Sequence, residues 1–261
     1  MSQVTPQRPP SARIANAVPA VDRVDTFIEG GRAVATNRGW GWIVAGFEMF
    51  KSKPWVWVAM MFILFVILIV LSIVPALGSI ANMVLMPVFT GGLMLGCQAL
   101  KRDGMLEISH LFAGFRNHAG ALIVLGVLSI LAFVVVMVPA VMIMGGSAFF
   151  AVLRRDPISV GAMGSTMAIA LLVLAGLSVP VMMALWFAPA LVALRDVAPI
   201  DALKQSFSGC LKNVVPFSVY GIALLILGVI AAIPVGLGLL VLVPTVLAST
   251  YVAYQEIFFE N

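Results

Sequence analysis

The sequence predicts an all-α protein, a polytopic bundle of six transmembrane helices, and two observations carry this prediction. Hydrophobic residues make up 62% of the chain and charged residues only 10%, whereas soluble domains average about a quarter charged. The charged residues are also clustered, which leaves long apolar stretches between them. Because a transmembrane helix needs about 20 apolar residues, these stretches have room for six crossings. The stretches without a charged side chain are 54–100, 117–153, 157–194 and 213–255.

Turn-forming residues divide these stretches into spans. The segments Pro75 to Ser79 and Pro234 to Gly238 each break a stretch into a two-span hairpin. The second and third stretches each hold one long span, which Pro139 in one case and Pro180 and Pro189 in the other are expected to kink. The six predicted spans cover residues 55–74, 80–100, 119–144, 163–190, 214–233 and 238–255.

The first 37 residues differ in composition from the rest. They are polar, rich in proline and arginine, and contain no apolar run of the kind that marks a cleavable signal peptide. We expect residues 1–37 to form a largely disordered cytoplasmic tail, unstructured up to about Ala20, with a weak helix from Val21 to Ala35. The membrane domain is predicted to cover residues 38–258.

The basic residues are distributed unevenly between the two ends of the predicted spans. Of the 15 Lys and Arg residues, all except Arg154 and Arg155 fall on the side that holds both termini. The positive-inside rule then predicts that both termini are cytoplasmic.

A short amphipathic segment precedes the first, third and fifth spans, and a basic residue closes each segment. Apolar residues recur in it at helical spacing, which is typical of a helix lying at a membrane interface. The predicted plan is therefore three units, each an amphipathic helix followed by a two-span hairpin. The residues predicted to contact lipid or a protein partner are Lys51, Lys53, Arg116, Lys212, Phe47, Phe50, Phe112, Phe115 and Phe207.

Gly91, Gly92 and Gly96 form a small-residue face in the second span, with a G-x-x-x-G pattern. Such a face allows two helices to approach closely. We expect it to pack against another helix of the same chain, and the alternative is a dimer seam.

Three segments carry a resemblance to known proteins: residues 38–43 read RGWGWI, residues 87–96 read PVFTGGLMLG, and residues 110–115 read HLFAGF. With them, residues 38–258 resemble a proteobacterial family of uncharacterised six-span inner-membrane proteins. The hairpin repeat is more distantly similar to YciC-type and glycerophosphodiesterase membrane-domain proteins. The resemblance implies an inner-membrane location and brings no catalytic or binding residue with it.

Few residues point to chemistry. The spans hold no Asp, Glu, Lys, Arg or His, which disfavours proton relays and carboxylate-based ion coupling. His110 and His118 lack the further ligands that a metal site needs, and Cys97 and Cys210 stand alone. No cofactor, metal or nucleic-acid partner is expected.

Three functions remain open at this stage. The leading hypothesis is a non-enzymatic inner-membrane protein that acts through lipid or protein contacts at the cytoplasmic face, with a membrane-protein partner or a second copy of the chain as further possibilities. The first alternative is a permease or channel for a neutral or apolar solute, hinged at Pro87, Pro139, Pro180 and Pro189. The second is an enzyme acting on lipid, for which the candidate residues are Asp103, Glu107, His110, Asp196 and Asp201.

Overall fold

The computed structural model describes residues 26–154 and 160–260. Within these ranges the regular elements are helices, and six helical segments are long and apolar enough to cross a membrane. The all-α, six-span bundle predicted from the sequence is therefore confirmed. A 3₁₀ helix (Ile108–Phe112) accompanies the α-helices α1 (Arg38–Ser52), α2 (Pro54–Ser72), α3 (Leu77–Asp103), α4 (Ala113–Arg116), α5 (Ala119–Arg154), α6 (Val160–Trp186), α7 (Ala188–Arg195), α8 (Pro199–Lys212), α9 (Val214–Ala232) and α10 (Leu239–Phe258).

The three predicted units are present in this order of elements. Unit one consists of α1 and the hairpin α2–α3, unit two of the 3₁₀ helix with α4 and the hairpin α5–α6, and unit three of α8 and the hairpin α9–α10. We call the short helix that opens each unit its leading helix, and in unit two this name covers residues 108–116. The second span of each hairpin contains an internal proline, namely Pro87, Pro180 or Pro244.

The units interleave in a cycle. The leading helix of unit two packs on α3 of unit one, and α8 of unit three packs on α6 and α7 of unit two. The cycle closes because α1, the leading helix of unit one, packs on α9 and α10 of unit three. Each leading helix is therefore held by the hairpin of the preceding unit, and the first unit takes the last as its predecessor.

Small residues make these contacts possible. A Cβ atom added at Gly46 in α1 would lie 2.6 Å from the Thr245 carbonyl oxygen of α10, and one added at Gly114 would lie 2.1 Å from the carbonyl oxygen of Val88 in α3. Both distances are far below van der Waals contact, so backbone meets backbone at these points. Only glycine fits such a crossing.

The first leading helix inclines into the bundle. Arg38, at its start, bonds to Glu256, while Gly46 lies against Thr245 and Ser249. These two α10 residues precede Glu256 by 11 and 7 positions, which places them about 10 to 16 Å further along the helix axis. Helix α1 therefore runs along α10 away from its Glu256 end, and its predicted place at the membrane interface stays a prediction. Close packing along α10 gives it a slanted course.

Residues 26–37 form an extended strap across the end of α10. The predicted helix from Val21 to Ala35 is wrong for its described part, because the backbone here pairs with another element. Ile28 N–H donates to the Phe258 carbonyl at 2.8 Å, and Arg32 N–H donates to the Ile257 carbonyl at the same distance. The tail up to Ala20, for which disorder was predicted, lies outside the described residues.

Two of the predicted kink sites lie inside continuous helices. Helix α5 continues through Pro139 without interruption. Helix α6 likewise continues through Pro180, but it ends at Trp186, and α7 begins after Phe187. Pro189 lies in the first turn of α7. An N–H at this position has no partner within the helix, so a proline here costs no hydrogen bond.

Candidate lipid-contact surface and central cavity

One end of the bundle, which we call the basic end, gathers the charged clusters. There the Lys101 ammonium lies 3.4 Å from the Gln255 side-chain oxygen, and His118 Nδ1 lies 2.9 Å from the Asp196 carboxylate. These pairs join the end of α3 to the end of α10 and the start of α5 to the end of α7. The strap of residues 26–37 crosses the same end, since Arg195 stacks over the ring of Phe27 at 4.8 Å.

The four basic residues predicted to contact lipid divide into two kinds. Lys51, Lys53 and Arg116 extend from the surface of the leading helices, and Lys51 pairs with Glu48 at 2.7 Å. Lys212, by contrast, donates to the Gly31 carbonyl at 2.7 Å. Its ammonium therefore fixes the strap to α8, a role that the sequence did not suggest.

The aromatic residues predicted for the same surface also divide. Four are partly exposed, with exposed fractions of 36 to 40%, namely Phe47, Phe112, Phe115 and Phe207. Phe50 is 7% exposed and belongs to the core, stacked on Phe47 with the ring centroids 6.2 Å apart. Each leading helix thus presents at least one aromatic ring and one basic side chain at its surface.

The glycine face of α3 is occupied within the chain. A Cβ atom at Gly91 would lie 2.9 Å from the Leu122 side chain of α5, and one at Gly92 would lie 2.7 Å from the His110 carbonyl oxygen. A Cβ atom at Gly96 would lie 3.0 Å from the His110 side chain. These three positions receive α5 and the leading helix of unit two.

Four of the five residues considered for lipid chemistry are engaged in local pairs, and the fifth, Asp103, is exposed at the end of α3. Asp201 bonds to Lys204 at 3.2 Å, and Asp196 pairs with His118. Glu107 and His110 cap the 3₁₀ helix reciprocally. Across the part of the chain that the structure describes, no three His, Cys, Asp or Glu residues come together in a way that could hold a metal ion.

A polar lock joins the first helix to the last. Glu256 accepts hydrogen bonds from Arg38 Nε at 2.8 Å and from the indole N–H of Trp42 at 2.9 Å, and a second Arg38 nitrogen pairs with its other oxygen. The hydrogen bond to Glu256 raises the pKa of the Arg38 guanidinium. Sequence reasoning missed this lock. The available signal was Glu256 itself, the first charge after the last apolar stretch.

A central cavity of about 490 Å³ lies where the three units meet. Its wall takes residues from the second span of every unit, and from α5 and α7. Pro87 and Pro189 belong to this wall, as the permease hypothesis expected, whereas Pro139 and Pro180 do not. The lining residues are Met83, Met86, Pro87, Thr90, Met94, Leu125, Ser129, Met182, Leu185, Trp186, Pro189, Val246, Leu247 and Thr250.

A second apolar groove of about 490 Å³ runs between α1 and the hairpin α9–α10. Trp40, Val44 and Phe47 form one wall, and Leu227, Ile230 and other hairpin residues form the opposite wall. The slanted course of α1 leaves this groove, since contact with the hairpin is closest on the Gly46 side.

Six apolar spans and an apolar cavity define a polytopic integral membrane protein. The chain is 30% identical over 225 residues to a protein of Burkholderia thailandensis named "Probable inner membrane protein", and the match covers 84% of this chain and 82% of that protein. The chain therefore belongs to the same family of inner membrane proteins, as its resemblance to six-span inner-membrane proteins implied. The more distant similarity to YciC-type proteins stays a prediction. No family model matches the chain, and no solved structure matches it.

Proposed function

We propose that this inner membrane protein acts without catalysis, through lipid or protein contacts that its leading helices make at the cytoplasmic face. The observation that carries the proposal is the repetition, on all three helices, of an exposed phenylalanine near a basic side chain. Phe47 with Lys51 and Phe115 with Arg116 are the plainest pairs, and the Lys51 ammonium lies 5.2 Å from the Phe47 ring centroid.

This combination suits a membrane surface on physical grounds. An aromatic ring gains free energy by leaving water for the boundary between headgroups and acyl chains. A Lys or Arg beside it gains about 1 kcal/mol near an anionic leaflet. Three such sites on one protein would add, so even weak individual contacts support a preference for anionic lipid or an acidic partner surface.

The orientation is part of the proposal. Apart from Arg154 and Arg155, all of the Lys and Arg residues flank the predicted spans on the side that holds both termini, and the positive-inside rule assigns such a side to the cytoplasm. Both termini then lie in the cytoplasm. The leading helices face the inner leaflet, where anionic lipids would meet them.

The local pairing of polar groups supports a role without catalysis. A general acid or base must reach a substrate atom from a pocket. Here the carboxylates are already paired. Those of Asp196 and Asp201 pair with neighbouring side chains, and that of Glu107 caps a helix end.

The test compares two double variants of the full-length protein that remove equal charge. In Lys53→Gln/Arg116→Gln the lost groups extend from the leading helices, whereas in Lys101→Gln/Lys204→Gln they bond to Gln255 and Asp201. Each protein is delipidated and titrated with phosphatidylglycerol or phosphatidylcholine, and bound lipids are counted by native mass spectrometry. We expect the first variant to lose about tenfold in phosphatidylglycerol affinity, with phosphatidylcholine binding unchanged. Equal losses in both variants would contradict the proposal.

A permease or channel for a neutral or apolar solute is the second candidate, and the central cavity is the observation that favours it. The cavity lies between proline-containing spans and has no ionisable group in its wall. Proteoliposome swelling with small neutral solutes tests this role. Permeability equal to that of protein-free vesicles would exclude these solutes.

A further inference from the structure

The central cavity extends along the bundle axis. Its wall on α3 extends from Met83 to Met94, which is eleven residues or about 16 Å of helix. Both α6 and α10 contribute shorter stretches facing this one. A shape of this kind fits a chain, whereas a compact solute would leave part of it empty.

The wall has few polar groups that could form hydrogen bonds with water. Ser129 donates its hydroxyl to the Leu125 carbonyl at 2.8 Å, and Thr250 donates to the Val246 carbonyl at 2.9 Å. Both hydroxyls are therefore satisfied by their own helices. An apolar wall of this kind favours an apolar occupant.

The cavity has an open side between α3 and α6. Met86 on α3 is 40% exposed and Met182 on α6 is 58% exposed, whereas Met94 at 1% and Leu125 at 0% close the inner wall. Since both helices are candidate membrane spans, the exposed methionines face acyl chains. The bilayer therefore has direct access to the cavity. Methionine side chains also adapt readily to the shape of an occupant.

One polar group in the wall lacks a partner. The indole Nε1 of Trp186 is buried without a hydrogen-bond acceptor among the described residues. The ring itself is fixed, because it packs edge-on against Phe217 and Tyr220 of α9 at centroid distances of 6.0 and 6.3 Å. A tryptophan N–H only donates, and leaving it unpaired is costly. Nε1 itself has almost no accessible surface, so Trp186 meets the cavity with its other atoms.

We propose that this cavity binds one acyl chain of a membrane phospholipid. Met94 is the α3 lining residue nearest Lys101 at the basic end, so we place the ester end of the lipid on that side. The chain then runs along α3 past Thr90 toward Met83. This inference rests on the cavity alone and not on the surface contacts of the leading helices.

The experiment maps lipid contacts by photo-crosslinking. Full-length protein is reconstituted in phosphatidylethanolamine and phosphatidylglycerol vesicles that contain a small fraction of phosphatidylcholine with a diazirine in one acyl chain. After irradiation, mass spectrometry locates the adducts. We expect adducts at Met83 and Met94 to exceed those at Leu172 and Leu225, which lie in spans and are 73% and 69% exposed, and to saturate as the probe fraction rises.

Two variants sharpen the map. Ser129→Phe fills the cavity, and its matched control is Ser218→Phe, an exposed serine that likewise bonds only to its own helix, at 2.8 Å. We expect cavity adducts to fall at least about tenfold in Ser129→Phe and to stay unchanged in the control.

Three results would overturn the proposal. The first is an adduct yield in the wild-type cavity no higher than that at Leu172 and Leu225. This comparison uses the wild-type protein alone, so it holds even if Ser129→Phe fails to fold. The second is an equal yield in Ser129→Phe and Ser218→Phe. The third is labelling by a diazirine fatty acid in strong preference to the phospholipid probe, which would make the ligand a free acid.

Discussion

The hydroxyl of Ser206 takes the place of a backbone hydrogen bond at Phe187. It accepts from the Phe187 N–H at 2.9 Å and donates to the Met183 carbonyl at 2.7 Å. In an uninterrupted helix that N–H and that carbonyl would bond to each other. A side chain from unit three is thus inserted into the helix of unit two, and it produces the break between α6 and α7 beside the cavity.

Replacing Ser206 by alanine should destabilise the bundle, because a buried N–H and a buried carbonyl then lose their common partner. We expect a loss of about 1 to 3 kcal/mol in the free energy of unfolding, measured by unfolding in detergent. Ser208→Ala is the matched control, since Ser208 makes one partly buried bond to the Gly30 carbonyl at 2.9 Å. Losses of the same size would indicate that Phe187 and Met183 rejoin directly.

Gly114→Ala should prevent the leading helix of unit two from docking. Its Cβ atom would lie 2.1 Å from the Val88 carbonyl oxygen, whereas a Cβ atom at Gly120 would meet nothing within 4 Å. We expect Gly114→Ala to lower the yield of folded protein or its free energy of unfolding by about 3 kcal/mol, and Gly120→Ala to change it little. Size-exclusion profiles and thermal unfolding measure both, and a stable Gly114→Ala protein would contradict the packing described for unit two.

Glu256→Ala should loosen the contact between α1 and α10. The change removes the acceptor of the Arg38 guanidinium and of the Trp42 indole N–H, and Trp42 is fully buried. We expect a loss of about 2 kcal/mol in the free energy of unfolding. The control is Glu48→Ala, which breaks an exposed pair with Lys51 and should cost less than about 1 kcal/mol.

Cys210 should resist thiol reagents in the native protein. Burial raises the pKa of its thiol to about 12, so at pH 7 to 8 almost none of the reactive thiolate exists. We expect maleimide to label Cys210 only after denaturation in SDS, as followed by mass spectrometry. An engineered Ser109→Cys, at an exposed position of the 3₁₀ helix outside the spans, should label in the folded state and so shows that the reagent is active. Rapid native labelling of Cys210 would mean that α8 detaches from the bundle.

Reporter fusions test the orientation. A fluorescent protein that folds only in the cytoplasm should fluoresce at either terminus, and alkaline phosphatase, which is active only outside the cytoplasm, should be active after Val235. Val235 is 97% exposed in the turn between α9 and α10. The reverse pattern would place the basic end outside and remove the proposed meeting of the leading helices with the inner leaflet.

The spans were predictable because they follow from local composition. An apolar run that crosses the membrane does so as a helix. Pro234 and Gly238 indicate a turn through their own backbone preferences, whatever the rest of the chain does. The repeated leading helices were likewise visible as a periodic pattern. The pattern did not predict which helices the leading helices pack against. Nothing in the sequence near Gly46 indicates Thr245, about two hundred residues away.

Individual contact residues were harder to predict for a related reason. Phe47 and Phe50 have the same chemistry and lie one helical turn apart, yet the slant of α1 exposes one and buries the other. Lys212 resembles Arg116 in its place before a span, and only the route of the strap past Gly31 gives it a structural role. Tertiary packing decides both cases.

The closure of α1 on unit three has a consequence for biogenesis. The ribosome makes α1 before any span, whereas its partners α9 and α10 emerge last. Until that final hairpin enters the bilayer, Gly46 and the buried face around Trp42 have no native neighbour. The newly made protein must therefore keep its first helix unpaired through four membrane insertions, and the last insertion both completes the span count and secures the beginning of the chain.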